Sequence, residues 1–214
     1  MSMLRWSDHR RQHQRWPRVG RHILAQHDDQ HIIVYQAHTP AVASAAVAQQ
    51  SLNGLLAPHR MWWFSTSFLW TMHRTDWGCR PQMERVLAIQ MTCRHFDELL
   101  ECAVDTRHHP DHHTPDRAAW RKQHRDAPVR LQWDPDHSPD GWRLSRRAVV
   151  MGLRGVALQQ WTATWIVAVE DITEQIHRQR RQHQQNNAIL TPRATIYNPS
   201  YAVIKQKIRL DRVR

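Results

Sequence analysis

Apolar positions fall into short alternating runs and longer one-sided stripes, and the two kinds interleave along the chain. VGRHILAQHDDQHIIVYQAH places two apolar runs on either side of Asp28-Asp29-Gln30. The β-branched Ile32 and Val34, with turn chemistry between the runs, predict a β-hairpin, although the first arm also suits a short helix. AVASAAVAQQSL follows Thr39-Pro40, an N-cap and a first-turn proline, so a helix with small, closely packing side chains is expected there. MWWF predicts a short strand. SFLWTMHR has helical spacing: Phe68 and Met72 share one face, Trp70, Arg74 and Trp77 another, and Gly78 or Pro81 ends the helix. RVLAIQMTC predicts a strand, and HFDELLECAV an amphipathic helix with Phe96, Leu99 and Leu100 on one side.

Residues 105–127 are polar and carry Pro110 and Pro115, the pattern of a surface insertion. VRLQWD and RRAVVMGL predict strands, with Asp134-Pro135 and Pro139-Asp140-Gly141 turning the chain. GVALQQWTATW predicts a helix and IVAVED a last strand. Asp171 and Glu174 are spaced as N-cap and N3 of a capping box. The helix they open, TEQIHRQRRQHQQ, soon runs out of apolar residues, and the pattern after Leu190 is irregular. Strands, helices and hairpins interleave without repeats. The expected class is α+β: a single compact domain with a mixed, mainly antiparallel sheet and packed helices. Its expected boundaries are a flexible basic arm over 1–17, the domain over 18–176, and a basic helical or irregular tail over 177–214.

Composition narrows the function classes. A chain of 214 residues with 41% hydrophobic content can bury one core. No run of about 18 apolar residues occurs, so no membrane partner is expected. The first residues, MSMLRWSDHRRQHQRW, lack the apolar stretch of a secretory signal. Cys79, Cys93 and Cys102 form no CxxC pair, which argues against a disulfide framework or structural zinc and fits a reducing, cytoplasmic compartment. The formal charge of +11 favours polyanions such as RNA, DNA or nucleotide phosphates. Much of it lies in Arg5–Arg21 and after Glu174, where solvated ends would carry it. His108, His109, His112 and His113 have i, i+4 pairs that would chelate a metal on a helix, but Pro110 interrupts one, so no metal is assigned. The sequence specifies neither a cofactor nor an oligomeric state.

GxGxxG, Walker-type and GxSxG motifs are absent. In QWDP, Gln132 and Asp134 stand at a strand end, where an Asp can serve as an acid/base or metal-facing group, or simply turn the chain before a proline. Tyr35-Gln36 ends a strand in the same way. Trp70 and Arg74 could stack on a base and hold a phosphate, and the helix start at Ser65–Ser67 offers backbone N–H groups to an anion. The alternative is that the tryptophans are core and Ser65 or Thr66 is an ordinary cap.

In this order the segments IIVYQAHTPAVASAA, SFLWTMHRTDWG, ERVLAIQM, VRLQWDPD, MGLRG and IVAVEDIT resemble the "domain of unknown function 4291" family of bacteria and fungi, over about residues 20–176. The resemblance implies no established reaction. Some fungal members are likened to ATP-dependent RNA ligases, but the KxDG motif of lysine-adenylate chemistry is absent here, and Lys122, Lys205 and Lys207 lie outside the predicted core. Against the family pattern, Ser65 replaces a lysine, Val150 a glutamine and His38 a tyrosine, and a Lys-x-x-Gln reads Arg80-Pro81-Gln82-Met83. The candidate catalytic set is therefore Asp134, Gln132 and Tyr35, and the candidate phosphate- or ligand-binding set is Ser67, Trp70, Arg74, Arg80 and Gln36. The expected function is a nucleotide- or RNA-related phosphate pocket, impaired by the loss of the lysine. The alternative is a non-catalytic nucleic-acid-binding module acting through the basic ends.

Overall fold

The structure, a computed structural model, describes residues 2–110 and 116–212. The N-terminal segment, expected to be a flexible arm, is folded. Strand β1 (Trp6–Asp8) leads into α1 (His9–His13), capped by the Asp8 carboxylate on the Arg11 N–H, and Leu4 is buried. Then come β2 (Gly20–Arg21), β3 (Ile23–Ala25) and β4 (His31–His38). The Asp28 carboxylate accepts the N–H groups of Gln30 and His31, which makes the tight reversal between β3 and β4. Helix α2 (Pro40–Gln49) has Thr39 as N-cap and Pro40 in its first turn, as expected.

Strand β5 (Trp62–Ser65) runs into α3 (Phe68–Thr75), followed by β6 (Arg85–Thr92), α4 (Cys93–Cys102) and β7 (Val104–Asp105). The polar insertion contains a helix, α5 (Arg117–Asp126), with no buried residue. Its C-terminal carbonyls accept from tertiary partners: Arg130 Nε donates to His124 O at 3.1 Å and Arg154 Nε to Ala127 O at 3.1 Å. Strand β8 (Val129–His137) continues straight through Asp134-Pro135, so the expected turn there does not form; the reversal comes at 138–142 before β9 (Arg143–Leu153). Helix α6 (Gly155–Gln160) passes into a π-helical turn (Trp161–Trp165) and β10 (Ile166–Asp171). Helix α7 (Thr173–Gln184) has no capping box. Asp171 accepts the Thr173 N–H at 2.9 Å and pairs with Arg85 at 3.1 Å, while Glu174 pairs with Arg178. The tail adds β11 (Leu190–Pro192), β12 (Thr195–Tyr197) and α8 (Ala202–Lys207).

The main sheet has the order β10-β6-β4-β5-β9-β8-β7, with β2 beside β9. Pairing is antiparallel except for β2 with β9 and β7 with β8. Strand alternation gives the sheet two apolar faces. Ile32 and Val34 of β4, with Leu131 and Trp133 of β8, face a core closed by α2, α4, α6 and α8. Ile33 and Tyr35 face a second core with Phe68, Leu69 and Met72 of α3 and Ile176 of α7. The termini close both layers: β1 pairs with β11, and Leu4 and Ile189 join the second cluster, while β3 pairs with β12, and Ile23, Ala25 and Tyr197 join the first. The outer edge of β10 is met by the Gln50 side-chain amide, which accepts the Val169 N–H at 2.9 Å and donates to Val169 O at 3.0 Å.

Candidate functional site

Helix α3 lies along the second face of the sheet beside β8, and amphipathic spacing decides what each side presents. Phe68, Leu69 and Met72 point into the core; Trp70, His73 and Arg74 form the outer stripe. Ser67 caps the helix, its Oγ accepting the Trp70 N–H at 3.2 Å and donating to Asp136 Oδ1 at 2.7 Å. The other Asp136 oxygen takes Arg146 Nε at 2.9 Å and Nη2 at 2.7 Å, and Arg146 is 1% exposed. Arg146 Nη1 also donates to Pro17 O at 3.0 Å, and the guanidinium stacks over the Trp16 ring at 5.3 Å. The anion position at the start of α3 is thus filled by the protein's own carboxylate, so Ser67 serves as cap and link.

Register places four of the sequence positions in one row. Tyr35 pairs with Ser65, Ser65 with Val150, and Val150 with Gln132, which puts their side chains on the same face of β4, β5, β9 and β8. Three of the four are sealed: Tyr35 is 2% exposed, Ser65 0% and Val150 2%. Ser65 Oγ donates to Val149 O at 2.7 Å and accepts the Ser67 N–H at 3.1 Å. Burial, with the Glu170 carboxylate further along the row, pushes the Tyr35 phenol well above its usual range. A cavity of about 20 Å³, room for about one water, separates Tyr35, Thr66 and Asp136 from Trp16 and Pro192 of the folded termini. Gln36 points to the opposite face, where Nε2 donates to Trp63 O at 3.1 Å and Oε1 accepts from His38 Nε2 at 2.9 Å. Burial holds the His38 imidazole down at about 4.

Gln132 and Asp134 remain partly open. Gln132 Nε2 donates to Asp134 Oδ1, and Trp70 Nε1 donates to Asp134 Oδ2 at 3.2 Å. The structure therefore joins Trp70, Gln132 and Asp134, and separates them from Tyr35 and Gln36. Gly152 of β9 lets the Trp63 ring lie against the strand next door: a Cβ there would meet the ring carbons at 2.9 Å.

Beyond Asp134, His73 stacks on His137, ring centroids 3.7 Å apart and planes 14° apart. His137 is 5% exposed and neither ring nitrogen has a partner. Burial lowers the His73 pKa, and so do the guanidinium groups of Arg80, Arg143 and Arg74, in that order. All three arginines are exposed, and among the described residues none of them belongs to an ion pair. A neighbouring cavity of about 160 Å³ is lined by His73, Asp76, Trp77, Ser138, Asp140 and Gly141. Of its two carboxylates, Asp76 is paired with Arg180 at 3.1 Å, and Asp140 lies 3.2 Å from His183 Nε2. Trp77 is not on the Trp70–Arg74 stripe. The chain leaves the helix at Asp76 in the left-handed region, and Trp77, 8% exposed, sits edge-on to Phe68 in the core.

Sequence reasoning missed His73, His137, Asp136, Arg146 and Arg143. Spacing from Trp70 would have caught His73, but the others depend on β8 running on to His137. Among the described residues no group of three His, Cys, Asp or Glu is placed to hold a metal ion; His112 and His113 lie outside those residues. No helix of the described residues is long and apolar enough to cross a membrane.

Fold and site define an α+β protein with a polar, arginine-rimmed strip along one helix. Residues 22–197 match the family described as "Domain of unknown function (DUF4291)", and the chain belongs to that family. No curated protein matches it.

Proposed function

We propose that the strip between α3 and the β8–β9 turn binds a phosphorylated ligand of nucleotide size. The observation that supports this most is that Arg74, next to His73 on α3, Arg143, cross-strand partner of His137, and Arg80, whose N–H bonds to Thr75 O, have no carboxylate partner among the described residues. Unpaired guanidinium groups beside neutral imidazoles make a local positive potential that suits phosphate oxygens, in bidentate geometry where the fork allows. Trp70, fixed by its bond to Asp134, offers an aromatic edge and face to a base, and Gln132 an amide. The reading is one of binding, and no reaction is assigned to the sealed row. Three free cysteines suit a reducing, cytoplasmic setting.

Thermal-shift titration of the full chain against ATP, GTP, NAD and a short RNA, at low and high salt, tests the reading. At least one phosphorylated ligand should raise the melting temperature, and the shift should vanish in the double variant Arg74→Ala/Arg143→Ala. No shift with any ligand ends the proposal. A shift kept in that variant but lost in Arg10→Glu/Arg11→Glu/Arg15→Glu, which alters exposed residues of α1 and the turn after it, would move binding to the basic terminus.

A further inference from the structure

The turn between β8 and β9 carries a feature that a mononucleotide site does not need. Trp142 is 74% exposed, and it is the one fully exposed residue among the eleven tryptophans. Leaving so large an apolar ring in water forgoes the burial that the other ten gain in whole or part. The ring is not on a loose tip. Ser138 N–H donates to Trp142 O at 2.9 Å, Trp142 N–H to Ser138 Oγ at 3.2 Å, and Gly141 N–H to Ser138 O at 2.9 Å. Gly141 has φ +82°, a conformation that favours glycine, and a Cβ there would stand 3.5 Å from His73 Nδ1. The turn is therefore rigid and packed on the histidine stack.

Contacts order the strip as Trp70 with Asp134, then His73 with His137, then Gly141 and Trp142. Trp70 and Trp142 belong to the two elements that meet there; Arg74 follows His73 on α3, Arg143 is the cross-strand partner of His137, and the Arg80 N–H bonds to Thr75 O at 3.0 Å at the end of the same helix. Of the acidic groups nearby, Asp76 is paired with Arg180, Asp140 contacts His183 and Asp134 accepts from Trp70 and Gln132, so Arg74, Arg80 and Arg143 outnumber the two carboxylates that lack a guanidinium partner. Aromatic platforms in series with unpaired guanidinium groups are the means by which proteins hold successive bases and phosphates of an unpaired strand. A duplex hides its base faces and would leave Trp142 unused.

We infer that the strip and the β8–β9 turn together bind single-stranded nucleic acid, with one base stacked on Trp142 and the backbone following Arg143, Arg80 and Arg74. This rests on the phosphate-binding reading above and names the ligand class of that site.

Fluorescence anisotropy with labelled 12-nucleotide oligo-U, oligo-dT and a duplex of the same length, using the full chain at several salt concentrations, tests it. Single strands should bind more tightly than the duplex, and affinity should fall as salt rises. Trp142→Ala should weaken single-strand binding about tenfold, Trp142→Phe should restore most of the loss, and the melting temperature should be unchanged. The oligo-U and oligo-dT arms separate RNA from DNA. Equal affinity for the duplex, or Trp142→Ala binding as tightly as the parent, overturns the inference. If ATP shifts the melting temperature while no single strand binds, this inference fails and the nucleotide reading stands. If Trp142-dependent strand binding occurs without any mononucleotide shift, the nucleotide-sized ligand is the part that fails.

Discussion

Two polar strips share the second face of the sheet, and they have opposite fates. The row Tyr35–Ser65–Val150 lies beneath α3 and the folded termini, and its polar atoms are spent on structure: Ser65 bonds to Val149 O and the Ser67 N–H. The strip Trp70–His73–Arg74, one helix face away, keeps its cations unpaired and its tryptophan partly open. Residue type does not distinguish them, since each mixes hydroxyl, amide or charged groups with aromatics. What separates them is the cover supplied by segments remote in sequence. A polar residue under such a cover is out of a ligand's reach, and one beyond it is left open.

The sharpest way to break the contrast is at the joint that holds the cover down. Arg146→Ala leaves Asp136 buried without its cation and frees Pro17 and Trp16; it should cost about 3–5 kcal/mol, read by urea unfolding. Acid should act on the buried imidazoles next. His38 is held near 4 in the fold against 6.5 unfolded, so the unfolded chain binds more protons between those values. Stability is complete above about pH 6.5 and falls as pH drops toward 4, by up to about 3 kcal/mol from His38, with His9, also held near 4, adding in the same direction. Urea midpoints at pH 7 and pH 4.5 measure it.

Ser65→Lys, which restores the lysine of the family pattern, puts a charge at a position with no exposure and should destabilise by about 2–3 kcal/mol. Val150 is its cross-strand neighbour. Adding Val150→Gln should therefore depart from additivity by at least about 0.5 kcal/mol, with the double variant less damaged than the sum, because the two replaced residues face each other. Arg74→Ala sits at the small end. On the open side it should move stability by no more than about 0.5 kcal/mol while weakening any phosphorylated ligand, and unchanged affinity removes it from the site.

Local pattern was enough for the elements whose reasons are local. Thr39-Pro40 opened α2, Asp28 turned the chain between β3 and β4, although the two join different sheets with one bridge between His27 and Ile32, and apolar runs marked β4, β6 and β9. It failed wherever the stabilising partner is distant. Gln12 of the N-terminal segment bonds Thr191, so a stretch with only Leu4 and Trp6 as early apolar anchors read as an arm. Helix α5 has no apolar face and owes its end to Arg130 and Arg154. Asp171 looked like a cap because Arg85 was not visible beside it. In the site, the closeness of Gln132 and Asp134 was legible from spacing, but the cap falls on Ser67 and not on Ser65 or Thr66. The Asp136–Arg146 pair was hidden by reading Asp134-Pro135 as a turn, and the burial of Tyr35 by the unseen cover. The register that aligns Ser65 with Val150 and Gln132 is a property of four strands and could not be read from any one of them.

The stitching of β1 to β11 sets an order in time. Trp6 pairs with Pro192, so β1 waits for a partner that is synthesised much later. At about 5–20 residues per second, the delay is roughly 10–40 s, during which the apolar surface of α3 and β4 has no lid. Neither core layer is complete in that interval: Ile189 belongs to the second, and Tyr197, Ile204 and Ile208 to the first. A nascent chain halted before residue 190 would present Phe68, Tyr35 and Leu4 to whatever chaperone or aggregate is at hand.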